Sequence, residues 1–225
     1  MADGYPTVPE ARLDAGDWTL RARSEETLFR TPAARVVGRT LVYDDAALRT
    51  ALDAADASRF LTAAAESDDG DRLVDTGEDG DYWRFFFATA LSFRPPLAPG
   101  IGPASMLPTV RSEARSAFTD DLQARGFVDV ETGRGQRVRT DAGDRARLRK
   151  VTARLPLAAD APADTLGVEG WLAVWTTGRQ FRIAGGASPV SGLDALLDPL
   201  SADERPATDP TTYRDDLLAL VRAVR

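Results

Sequence analysis

The stretch that most constrains this chain is residues 82–93, YWRFFFATALSF, which is apolar at both parities of a two-residue period. Read as a strand, it places Trp83, Phe85, Phe87, Leu91 and Phe93 on one side and Phe86, Ala88 and Ala90 on the other. Each large side chain left in water would forgo about 1.5–3 kcal/mol of burial, so both sides need cover. The chain is therefore expected to build a layer on each face of a sheet in which this strand is central.

The flanking patterns supply the rest of an α+β domain. Residues 18–29 and 35–43 read as an antiparallel pair of strands, the second rich in β-branched residues. Asp44 or Asp45 then caps an alanine-rich helix whose apolar side carries Leu48 and Leu52, with Phe60 and Leu61 beyond. Residues 67–81, SDDGDRLVDTGEDGD, read as an exposed acidic loop. After the central strand, Pro95, Pro96, Pro99, Pro103 and Pro108 predict a Pro/Gly-rich loop over 94–108, with a helix from Thr109. Val110, Ala114, Phe118 and Leu122 recur every four residues along that helix, and Gly126 before Phe127 predicts a Schellman stop. The period then returns to two. Residues 127–131, 136–140, 145–155, 167–177 and 180–185 are expected as strands joined by turns at Thr-Gly-Arg-Gly, Asp-Ala-Gly-Asp and Thr-Gly-Arg. A short apolar helix near 193–197 precedes a last helix over 211–224, with Tyr213, Leu217, Leu220, Val221 and Val224 as its buried stripe. The 225 residues are thus read as one α+β domain, an antiparallel meander flanked by helices.

In order and in local sequence this arrangement resembles the PsbP-like fold, the superfamily of PsbP and the Ran-binding Mog protein. The echoes are Val8-Pro9 with Trp18 near the start, residues 29–44 as the first paired strands, the helix of 109–127 ending in Arg-Gly-Phe, and WLAVWTTGRQFRIAGGAS at 171–188 as a late hairpin. The resemblance implies an α/β/α sandwich and an accessory or binding role rather than catalysis.

Composition narrows the chemistry. The chain has 26 Asp against 9 Glu, 27 Arg against a single Lys, two Ile, no Asn and a net charge of −7. An Asp-heavy, Lys-poor surface suits a protein hydrated in concentrated salt, so a halophilic archaeal source is expected, with a high-GC bacterium as the alternative. With no His and no Cys, the commonest general base and the thiolate nucleophile are missing, and so are disulfides. No Gly-x-Ser-x-Gly elbow occurs, and Lys150 lies in neither a Ser-x-x-Lys nor a phosphate-loop context. The acidic residues of 67–81 do not match the register of an EF-hand. The reading is of a non-enzymatic protein without catalytic residue, metal or cofactor. The amino terminus carries no basic flank or apolar run, and no stretch has the 18 or so apolar residues of a membrane span, so a cytoplasmic location is expected.

One local feature departs from the acidic whole. Between Arg134 and Arg154 eight basic residues face only Asp141 and Asp144, a net +6. Strand alternation puts Arg137 with Arg139, and Arg145 with Arg147 and Arg149, on common faces, and these five are the candidate partner-binding residues. The alternative is that they pair with Asp-rich segments of the same chain or line a solvated face. In molar salt the Debye length is about 3 Å, which argues against nucleic acid and favours an acidic protein held by close bidentate contacts. Trp171, Ala173 and Trp175 share a strand face and are read as core. Two other functions stay open: a small-molecule-binding protein or metal-dependent enzyme with a pocket under the 94–108 loop, and an anion- or nucleic-acid-binding protein that uses the Arg-rich hairpin 134–154. Monomer and homodimer are both compatible with the sequence.

Overall fold

The computed structural model describes residues 4–30, 34–61, 83–97 and 102–225. Along the chain run α1 (Glu10–Asp14), β1 (Trp18–Arg30), β2 (Arg35–Asp45), α2 (Ala46–Ala54), a 3-10 turn (Ala57–Phe60), β3 (Phe85–Arg94) and α3 (Pro103–Ala124). There follow β4 (Val128–Arg139), β5 (Arg145–Pro156), β6 (Thr165–Thr177), β7 (Gln180–Ser191), α4 (Leu193–Leu196) and α5 (Pro210–Ala223). The strands form one seven-stranded sheet in the order β1-β2-β3-β7-β6-β5-β4, antiparallel at every pair. Two meanders, β1–β3 and β4–β7, meet at the β3–β7 pair, and α3 carries the chain from one meander to the far edge of the other.

Both faces of β3 are covered. Phe85, Phe87 and Leu91 pack with Val110, Ala114, Phe118 and Leu122 of α3, while Phe86 and Ala88 join Leu217, Leu220, Val221 and Val224 at the carboxyl-terminal end of the chain. Trp171, Ala173 and Trp175 lie in this second cluster and are core, as their spacing predicts. The protein is therefore an α+β fold with a helix against each face of an antiparallel sheet.

Local signals account for the helix ends. Asp45, not Asp44, caps α2, its Oδ1 accepting from Leu48 N at 2.9 Å. α3 closes in a Schellman motif: Gly126 takes φ +85°, its N–H bonds Gln123 O, and the Phe127 N–H bonds Leu122 O. α5 is capped by Asp209 Oδ2, which accepts from Thr212 N at 2.9 Å.

Three expectations need correction. First, α3 begins at Pro103 rather than Thr109, so residues 103–108 are helical and the loop is shorter than 94–108. Pro103 occupies the first turn, where its missing N–H has no helical partner to lose, and Pro108 inside the helix forfeits only the bond to Ala104 O. Second, Thr132-Gly133-Arg134-Gly135 is not a turn. β4 is one continuous edge strand that absorbs an extra residue between Thr132 and Gly135, and another between Val128 and Glu131, as bulges against β5. Third, Trp83 lies before β3 and packs with the Leu48, Leu52, Leu155 and Leu196 cluster. The acidic residues of 67–81 lie outside the described residues.

Arg84 explains the late start of β3. Its side chain is 4% exposed, with Nη1 donating to Asp45 Oδ2 at 2.6 Å and Nη2 to Asp216 Oδ2 at 3.2 Å. The guanidinium also stacks 4.0 Å from the Tyr213 ring centroid and 4.7 Å from that of Trp18. A buried charge demands such partners, and supplying them ties β2, the entry to β3 and α5 together.

Candidate functional site

The β4–β5 register decides where the arginines go. Arg137 pairs with Arg147, Arg139 with Arg145, and Gly135 with Arg149. Directly opposed residues on antiparallel strands project to the same side, so all five candidate arginines share one face. It is the α3 face: Arg147 pairs with Val174 and Arg149 with Leu172, which lie in the α3 core cluster. Like charges directly opposed across two strands oppose pairing. Among the described residues none of the five forms an ion pair; Arg139 and Arg149 donate only to the backbone carbonyls of Gly143 and Gly133, each at 3.1 Å.

Helix α3 adds two more guanidinium groups. Arg111 and Arg115 stand one turn apart beside the buried stripe Val110–Ala114–Phe118, and they face the sheet arginines across a cleft of about 160 Å³. Among the described residues Pro108, Ser112, Leu172 and Val174 make up the rest of its lining, which there contains four arginines and no carboxylate. Burial and, after it, the nearby Arg147 charge push the Arg111 pKa below its ordinary value. Arg111 Nε is buried without a hydrogen-bond partner among the described residues. Gly135 makes room here, since a Cβ at that position would stand 2.5 Å from Arg147 Nε.

Strand alternation thus anticipated that the sheet arginines share a face. The basic count overstates the hairpin: Lys150 is paired with Glu169 at 2.5 Å, beside the Trp171 ring, and Arg154 is paired with Asp129. Arg111 and Arg115 were missed. Their spacing on the border of the apolar stripe carried the signal, but helix periodicity does not say which strand the border meets.

The cleft adjoins the segment under which a pocket was expected. Guanidinium groups stay protonated and have no acceptor, so this lining supplies positive charge and directional donors but no general base. Met106 and Leu107 pack onto the core beneath the start of α3. A second hollow of about 530 Å³ beside α2 is lined, among the described residues, mainly by the α2 alanines, with Thr50, Asp17 and Glu204 as its polar members. Among the described residues no group of three acidic, His or Cys side chains is placed to hold a metal ion. Among the same residues no helix is long and apolar enough to cross a membrane.

Fold and cleft together define an α+β protein whose distinctive chemistry is a concentration, on one sheet face, of guanidinium groups without an ion pair among the described residues. The chain belongs to the family described as a domain of unknown function, DUF6517, which matches residues 5–225. No curated protein matches it.

Proposed function

We propose that this is a non-enzymatic interaction protein that docks an acidic protein partner through the arginine face of β4–β5. The observation that carries the reading is the opposition of Arg137 to Arg147 and of Arg139 to Arg145 without a carboxylate among the described residues. Opposed like charges cost stability in the isolated sheet, and an incoming carboxylate surface offsets that cost with charge-assisted, bidentate contacts. The distribution of helices, α3 on one face and α5 on the other, supports the PsbP-like reading and its accessory role. The Asp-rich, Lys-poor composition supports a salt-adapted cytoplasm as the setting.

Affinity capture from a salt-adapted extract tests the proposal. Wild-type protein should retain a defined set of acidic partners, and the Arg139→Glu/Arg145→Glu variant should lose them. Identical capture by both proteins would remove the hairpin from the account.

A further inference from the structure

The cleft differs from the rest of the arginine face in being concave, with guanidinium groups on opposing walls. Arg111 and Arg115 come from α3, Arg147 and Arg149 from β5, and Leu172 and Val174 form an apolar floor. Four fixed positive charges around about 160 Å³ are more than one carboxylate can balance, and the space is smaller than the roughly 300–1,000 Å³ of a pocket that swallows a whole small molecule. A compact group with two negative charges and three terminal oxygens matches both the charge and the size. Such a group accepts from several forks at once, and the unpartnered Arg111 Nε is a buried donor in the same wall.

We infer that the cleft between α3 and β5 is a binding site for a dianionic oxyanion group, the terminal phosphate of a small phosphomonoester. The inference rests on the reading of this face as one that recognises anions, and it names the small-molecule class its concave part accepts. A phosphodiester, with one charge and two free oxygens, leaves more of the four guanidinium charges unbalanced. Polynucleotide backbones are therefore excluded in favour of monoesters. The apolar floor gives the organic remainder of the ligand a surface to rest on. Arg147 and Arg111 line the same cleft, where the Arg147 charge lowers the Arg111 pKa, and a dianion between them turns that repulsion into two attractions.

Isothermal titration of the full chain with inorganic phosphate and with dimethyl phosphate, a diester, tests the inference. Inorganic phosphate should bind with one-to-one stoichiometry and dimethyl phosphate at least about tenfold more weakly. Arg111→Gln and Arg147→Gln should each weaken phosphate by about tenfold or more, the loss expected for one charge-assisted hydrogen bond. Arg139→Gln and Arg145→Gln, at the hairpin tip outside the lining, should leave it unchanged. Circular dichroism and a thermal melt on each variant separate loss of the site from loss of fold. No binding of phosphate, or equal binding of the diester, overturns the inference. So does an equal loss from the tip variants, which would assign the anion to the general field of the hairpin and leave the docking reading intact. Phosphate binding with the expected pattern, alongside partner capture indifferent to the tip arginines, would sustain the site and remove the docking reading alone.

Discussion

Arg147 of β5 faces Arg111 of α3 across a cleft with no carboxylate in its lining among the described residues, and its charge adds to burial in depressing the Arg111 pKa. Two cations held together by a helix and a strand form a local conflict. Asp44 shows the contrast: its buried carboxylate sits 2.8 Å from Arg49 Nε and 3.6 Å from Arg21 Nε.

Relieving the conflict should stabilise the protein while removing its binding. Arg147→Glu converts the contact with Arg111 into an attraction, worth up to about 1 kcal/mol at a partly exposed position. Urea unfolding should show an equal or higher midpoint for this variant, and phosphate titration should show no binding. A lower midpoint would mean that Arg147 stabilises the fold around the cleft.

Gly135→Ala should act on the cleft through Arg147 alone. The new methyl group would meet the Arg147 guanidinium at 2.5 Å, and a flexible side chain yields more readily than a strand. The expected result is weaker phosphate binding with stability within about 0.5 kcal/mol of wild type, read from titration and urea unfolding. Unchanged affinity would show that the Arg147 position beside Gly135 is irrelevant to the site.

Arg84→Met should be among the most destabilising single changes. It leaves the buried Asp45 carboxylate without its cation, a loss of about 3 kcal/mol in unfolding free energy. Asp45→Asn in the same chain should restore part of that loss, because Asn also caps helices and carries no charge to strand. Additive losses in the double variant would place the destabilisation in lost packing against Tyr213 and Trp18 instead.

Tyr213 gives stability a dependence on alkaline pH. Burial, and after it the Asp45 charge, raise its pKa from the ordinary value near 10 to about 12. Between those values the unfolded chain releases the phenolic proton and the folded chain keeps it, so stability is full below pH 10 and declines toward pH 12. Burial also raises the Tyr43 pKa, which acts in the same direction. Unfolding free energies measured at pH 9, 10 and 11 should fall more steeply for wild type than for Tyr213→Phe. Equal slopes would show that Tyr213 ionises normally in the folded state.

Much of the fold was legible from local pattern, because local chemistry decides it. A strand apolar on both sides has to be interior, and β3 is. A four-residue apolar stripe has to face a core, and Val110, Ala114, Phe118 and Leu122 do. Gly126 supplied the left-handed residue that a Schellman stop needs. Where the pattern misled, a nonlocal contact overrode it: pairing of β4 with β5 stretched through Thr132-Gly133-Arg134-Gly135, and packing of Met106 and Leu107 on the core drew the start of α3 back to Pro103.

Residue parity alone sends Arg145, Arg147 and Arg149 to one side of β5, because side-chain direction in a strand depends on nothing else. That Arg137 and Arg139 stand opposite them, that Lys150 and Arg154 are withdrawn into ion pairs, and that Arg111 and Arg115 close the other wall follows from the packing of the whole chain. Register, bulges and helix docking are set by the summed packing of distant segments, which no window along the chain contains.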